Sequence, residues 1–145
     1  MIIFDLDGTI ALDHHRSHLL KGDVKYWDEY FNACEHDEPN RPIIQILHMY
    51  YAAGHDVAIW SGRSAKVETM TINWLRRMAI FDKLHHFRMR SIADRTQDDI
   101  LKMLWLQELR NQGHEVTLAF EDRQRVVDAW RANGVTCLQV APGAF

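Results

Sequence analysis

Cysteine is scarce in this chain, with only Cys34 and Cys137 among 145 residues. The two stand far apart and fit neither zinc nor redox spacing, so a disulfide scaffold is not expected and two buried thiols in a reducing cytoplasm are. No run approaches the roughly 18 consecutive apolar residues that a membrane span requires. The N-terminus shows no basic region followed by a long apolar stretch, so no secretory leader is expected either. A basic excess is also missing: 17 Lys and Arg face 20 Asp and Glu, a net charge of -3. That balance argues against binding along a tract of nucleic acid, where affinity comes mainly from neutralising many phosphates, but not against gripping one end. Nine histidines are present, yet His14, His15, His85 and His86 have no zinc-ligand spacing and read as surface or packed residues.

With 47% hydrophobic residues, the chain is long enough to bury a core and needs no second domain. Repeats, low-complexity tracts and linkers are absent. Strand-like and helix-like segments alternate instead, which predicts a parallel sheet covered by helices. Strands are expected at Met1 to Phe4, Asp56 to Trp60, His86 to Met89, Val116 to Phe120 and Val135 to Val140. Between them, a helix starts at Asn40-Arg41-Pro42, carries Ile43, Ile46, Leu47 and Tyr50, and stops at Gly54. Others are expected at Lys66 to Met78, at Gln97 to Gln112 with Ile100, Leu101, Leu104, Trp105 and Leu109 on its stripe, and at Arg123 to Ala132. The stretch Ile10 to Glu38 breaks the alternation and is too long for a simple connection. Within it Tyr26, Trp27, Tyr30 and Phe31 have the spacing of a short amphipathic helix that covers a site or stacks on a ligand, or, for most of them, packs plainly against the domain.

Polar residues gather where strands end, and ligands of open α/β sheets bind there. Asp5-Leu6-Asp7-Gly8-Thr9 follows the first strand, Ser61-Gly62-Arg63 the second, and Glu121-Asp122 the fourth. Carboxylates this close do not all stay ionised without a cation. Asp5, Asp122 and a main-chain carbonyl near Asp7 are candidate Mg²⁺ ligands, because that ion takes oxygen donors and retains waters for substrate to replace. Thr9, Ser61 and the backbone at Gly62 are candidate phosphate donors, and Lys102 supplies a compact positive charge suited to phosphoryl transfer. Asp98, one turn before Lys102, is placed to hold that ammonium or to form an ordinary surface ion pair. From Arg76 to Arg95 the chain is locally basic, as either a solvated face or a nucleic-acid patch.

These four elements, in this order, resemble the motifs of the haloacid dehalogenase superfamily: Asp5 to Thr9, Ser61, Lys102 and Glu121-Asp122. A closer likeness, running nearly end to end, is to the phosphatase domain of bacteriophage polynucleotide kinase-phosphatase. It rests on Ile3 to Thr9, Trp60 to Arg63, Asp98 to Lys102, Asp122 to Val127 and the tail Gly134 to Phe145. The resemblance implies a Rossmann-like fold of about five parallel strands with helices on both faces, a small insert at 10–38 and no large cap. It implies that Asp5 is the nucleophile forming an aspartyl-phosphate, that Asp7 is the general acid and base, and that Asp5, Asp7 and Asp122 hold Mg²⁺. Arg16 and Arg63 match arginines that assist catalysis there, as a guanidinium fork suits phosphate; Arg16 also fits a loop charge beside His14 and His15. Glu121 departs from the usual aspartate, leaving Asp122 as the direct ligand. No Walker-type Gly-Lys-Ser/Thr loop is present, so a free-standing phosphatase is expected. Its implied substrate is the 3′-phosphate of DNA or RNA ends, with a separate kinase or ligase acting in the same repair pathway. Two other functions stay open: a phosphatase of nucleotides or other small phosphate esters, and a non-catalytic phosphate-binding module.

Overall fold

A computed structural model describes residues 1–143; Ala144 and Phe145, which end the resembling tail, lie outside the described residues. The chain opens with β1 (Ile2–Phe4), then β2 (Ala11–Leu12), α1 (Trp27–Asn32) and β3 (Glu38–Pro39). Next come α2 (Arg41–Ala52), β4 (Val57–Ser64), α3 (Glu68–Arg77) and β5 (His86–Arg90). The last part holds α4 (Asp98–Asn111), β6 (Leu118–Glu121), α5 (Gln124–Ala132) and β7 (Thr136–Gln139). Among the described residues no helix is long and apolar enough to cross a membrane.

Five strands make one parallel sheet in the order β5-β4-β1-β6-β7. The short β1 sits in the middle because all three of its residues are apolar, and both faces of a parallel sheet are covered. Its side chains alternate: Ile3 enters the cluster with Leu101, Trp105 and Trp130, whereas Ile2 and Phe4 enter the one with Leu47, Trp74 and Leu75. Helices α4 and α5 therefore cover one face, and α2 and α3 the other. The chain moves outward from β1 to β4 and β5, then returns to the far side of β1 through β6. That reversal puts the switch point, and so the crevice, at the carboxyl end of β1.

The insert carries the short helix that its aromatic spacing predicts, α1, and its two ends are closed together by β2 and β3, which pair antiparallel (Ala11 with Pro39, Leu12 with Glu38). Two expectations are revised. The second predicted strand was to end before Ser61; β4 instead runs on to Ser64, across a bulge between Ser61 and Ser64, because β5 extends to Arg90 and pairs with it. On α4 the buried face is turned from the predicted stripe, since Ile100 and Leu104 are half exposed while Lys102 is buried. Carboxylates beneath the helix draw that lysine inward. Both cysteines are buried and free.

The most heavily packed aromatic is Trp60, stacked on Trp130 at 5.7 Å with the edge of Trp105 at 5.9 Å. Its indole N–H donates to His86 Nδ1 at 2.7 Å, and burial followed by Arg88 lowers the His86 pKa, favouring the neutral ring that accepts. Trp60→Ala is expected to destabilise the chain by about 3–5 kcal/mol, and Trp60→Phe by less, read as the shift in chemical-denaturation midpoint at constant slope.

Candidate active site

The crevice is built on three strand ends and one helix. Asp5 directly follows β1, and its N–H donates to Phe120 O at 2.9 Å, which locks it to β6. Gly8 then turns the chain with φ +83°, and a Cβ there would collide with the Asp122 carboxylate. The Gly-Thr turn thus brings the first and fourth motifs into contact through a position where only glycine fits.

Two charge centres lie side by side. In the first, Lys102 Nζ donates to Asp5 Oδ1 at 2.5 Å and to Glu121 Oε2 at 2.7 Å. The other Glu121 oxygen accepts from the Asp122 and Arg123 N–H groups. Oxygens of Asp5, Glu121 and Asp122 all lie within 4.8 Å of one another, close enough to share a metal ion. One ammonium against three carboxylates leaves an excess of buried negative charge. Burial, then Glu121, pushes Asp5 up to about 7; burial, then Asp5, pushes Asp122 up to about 6. This oxygen-only, under-neutralised donor set fits a hard divalent cation.

The second centre surrounds Asp7. Arg16 and Arg63 each place an Nη2 at 2.5 Å from Asp7 Oδ1. Burial opposes ionisation of Asp7, but Arg63 and then Arg16 outweigh it and hold the carboxyl well below the usual range. Both arginines are almost fully enclosed, so Arg16 is not a solvated loop charge. Two buried guanidiniums need more than one carboxylate, and Asp37 supplies it: it accepts from Arg16 at 2.5 and 2.7 Å, from Arg63 at 3.2 Å and from His15 at 2.8 Å. Trp74 Nε1–H donates to the Asp37 carbonyl at 2.9 Å and fixes it to α3. Sequence reasoning missed Asp37. The only available signal was a second acid required by two arginines, and no spacing marked which one it would be.

The Asp7 side chain stands with the arginines and outside the carboxylate cluster, so any part in metal binding falls to its main chain. Thr9 and Ser61 are both fully buried and do not line the cleft. Among the described residues Thr9 Oγ1 has no hydrogen-bond partner, whereas Ser61 Oγ accepts from the Arg63 N–H at 3.1 Å. Gly62 does line it, and a Cβ there would come within 2.5 Å of Asp98 Oδ1. Asp98 corrects another expectation. Its carboxylate is taken by Arg90 and, at 2.5 Å, by Arg123, while the Lys102 ammonium is turned inward to Asp5 and Glu121. The basic stretch divides likewise: Arg90 and Arg95 reach the cleft, but Arg88 pairs with Glu108 and covers Trp105.

The whole cleft measures about 570 Å³, the size of pockets that hold a drug-sized ligand. From the insert, α1 supplies Trp27, Tyr30 and Phe31 to its wall. Tyr30 serves as packing for Arg16, whose guanidinium lies 4.0 Å from the ring centre.

A Rossmann-like sheet with paired aspartates after its central strand, a buried lysine and a carboxylate cluster defines a phosphoric monoester hydrolase of the haloacid dehalogenase type. More narrowly, residues 1–145 match the family described as the polynucleotide kinase PNKP phosphatase domain, and the chain belongs to it. A protein of Autographa californica nuclear polyhedrosis virus, described as "Putative bifunctional polynucleotide kinase/RNA ligase", is 32% identical over 133 residues, 90% of this chain and 17% of that protein. A chain of the Pnkp1/Rnl/Hen1 complex superposes with TM-score 0.80 at 31% identity, over 99% of this chain and 46% of that one. The class C acid phosphatase of Bacillus anthracis, at 21% identity, TM-score 0.70 and 99% and 66% coverage, shares the fold. The chain thus spans less than half of the first two of these relatives.

The raised Asp5 and Asp122 values fix the sign of a pH effect. A group whose folded pKa lies above its unfolded value stabilises the fold at low pH and loses that contribution as pH rises through the folded value. The metal-free chain is therefore expected to melt at progressively lower temperature from about pH 5 to pH 8. Asp122→Asn should flatten this slope, and Mg²⁺ should raise the melting temperature far more at pH 8 than at pH 5. Asp7 works in the opposite direction and only below about pH 4, outside this window. Differential scanning fluorimetry across the pH series, with and without Mg²⁺, reads all three.

Proposed function

We propose that this chain is a Mg²⁺-dependent phosphatase that removes 3′-phosphates from DNA or RNA ends through an aspartyl-phosphate. The observation that carries the reading is the opposed setting of Asp5 and Asp7. Two carboxylates one residue apart, Asp5 on Lys102 in the cluster that would hold a cation and Asp7 between two guanidiniums, are placed for different jobs at one reaction centre, and a cation in that cluster would keep Asp5 ionised for attack. Asp5, beside the cluster and Lys102, is the nucleophile: a carboxylate oxygen bonds to phosphorus as the phosphorus–oxygen bond to the sugar breaks. Once substrate phosphate competes for Arg16 and Arg63, Asp7 takes up a proton from solvent or from a singly ionised substrate phosphate and passes it to the departing 3′ oxygen. Asp7 then takes a proton from water as that water attacks phosphorus and releases Asp5 with inorganic phosphate. Lys102 keeps Asp5 oriented and balances its charge. Asp5, Asp122 and the main chain at Asp7 would hold Mg²⁺, with Glu121 in reserve, and the ion would neutralise charge on the phosphoryl oxygens.

Ser61, Thr9 and Gly62 shape the phosphate pocket, the first two from beneath its surface. Arg16 and Arg63 meet phosphate oxygens after leaving Asp7, with Asp37 keeping them in place. The polynucleotide substrate is supported by membership of the family and by the viral relative. On the same support, a kinase or ligase acts beside this chain on the same broken ends.

Phosphate release from oligonucleotides ending in 3′-phosphate, 5′-phosphate or 2′,3′-cyclic phosphate, with and without Mg²⁺, tests the assignment. Release is expected from the 3′-phosphate with Mg²⁺, and Asp5→Asn should reduce it by more than about 1,000-fold. Turnover confined to small sugar phosphates or mononucleotides would overturn the substrate class, and full activity of Asp5→Asn would overturn the covalent mechanism.

A further inference from the structure

Beyond the phosphate pocket, the cleft is larger than a phosphate needs. Outside the two charge centres its lining carries the acids Asp28, Glu29, Asp94 and Asp98 and six cations: Lys25, Lys66, Arg90, Arg95, Arg123 and Arg125. Five of them are engaged, with Leu20 O, Asp28, Asp98 (by both Arg90 and Arg123) and Asp99. Arg95 is exposed and has no ion pair or hydrogen bond among the described residues. It is a cation in a substrate cleft with no internal task.

Aromatic residues occupy another part of the lining. Trp27 and Tyr26 are 46% and 51% exposed, although their neighbour Tyr30 is buried. Trp27 is not loose: its ring stacks on Phe31 at 5.7 Å and meets Tyr30 edge-on at 6.1 Å. Its contacts therefore hold one side of the indole while the rest lines open cleft. The acid beside it, Asp28, is paired with Lys66 at 3.5 Å, so its charge is partly balanced. A braced, half-exposed indole and an unassigned arginine lining one cleft match how proteins hold single-stranded nucleic acid, by stacking bases and neutralising phosphates.

We propose that Trp27, with Tyr26 beside it, stacks the base of the nucleotide bearing the terminal phosphate, and that Arg95 meets the phosphodiester on its 5′ side. The substrate of this site is then an unpaired strand end with at least one internal phosphodiester. The inference rests on the polynucleotide-end function proposed above. It assigns to the insert the stacking of the terminal base and to the loop between β5 and α4 the neighbouring phosphodiester, while Arg16 and Asp37 of the insert serve the reacting phosphate.

The test compares kcat/KM on two 3′-phosphorylated oligonucleotides of equal length, one with a normal terminal base and one with an abasic terminal sugar. In the wild type the base-bearing end is expected to be favoured. Trp27→Ala should shrink that preference about tenfold, chiefly through KM, while Trp27→Phe should keep most of it. Arg95→Ala should weaken turnover of the strand and reduce its salt dependence by about one counterion. Equal loss on both ends in Trp27→Ala, with Trp27→Phe no better, would show a structural role and overturn the stacking site, as would no loss at all. A wild-type chain that releases phosphate from no 3′-phosphorylated strand would overturn the function itself.

Discussion

Lys102 is where the fold and the chemistry constrain one another. An ammonium buried on a helix is tolerable only against carboxylates in good geometry, and those come from two different strands, Asp5 after β1 and Glu121 at the end of β6. The ion pairs therefore tie α4 across the middle of the sheet, and the crevice forms around them. They also leave the cluster short of positive charge. Neutralising Asp5, Glu121 and Asp122 with further lysines would close the site to both metal and phosphate, so the deficit is the condition under which the crevice can bind anything.

The neighbouring centre resolves the same problem in the opposite way. Around Asp7 and Asp37 two carboxylates meet two guanidiniums, and the balance is complete within the protein. The deficient cluster is open to a cation, whereas the balanced one keeps its arginines in place through Asp37 even when one of their partners is exchanged. Placing the two a single residue apart on the chain lets one strand end present a carboxylate of each kind. Arginine suits the balanced side because its planar fork bonds two acids at once, as Arg16 does with Asp7 and Asp37.

Much of this was legible beforehand, for identifiable reasons. The strand and helix order follows from apolar periodicity and from stops such as Gly54 and Gly113, and the rim residues follow from where strands end. Legibility failed where long-range charge overrode local pattern. The stripe predicted on α4 took in Ile100 and Leu104, since no local rule anticipates a helix turned so that Lys102 meets Asp5, 97 residues away in sequence, and Glu121, 19 away. Asp98 was matched to Lys102 for a like reason: helical spacing shows which residues are neighbours, not that Arg90 and Arg123 will reach the carboxylate first. Asp37 was invisible because its partners come from the start of the insert and the end of β4. The extension of β4 through Ser64 was hidden too, since Ser-Gly-Arg reads as a turn until the edge strand beside it is known.

The two-residue ribbon of β2 and β3 brings the ends of the insert together, so the excursion from 13 to 37 leaves the sheet and returns at the same place. Such a closed excursion is ordinarily the easiest part of a fold to lengthen, shorten or exchange. Here it is not a neutral graft site, because Arg16 near its beginning and Asp37 at its end are both built into the charge network around Asp7. Remodelling this segment is compatible with the network only if the two anchors persist, together with Tyr30, whose ring and carbonyl both meet Arg16. The room for variation within the insert is therefore confined to the positions that touch neither Arg16 nor Asp37.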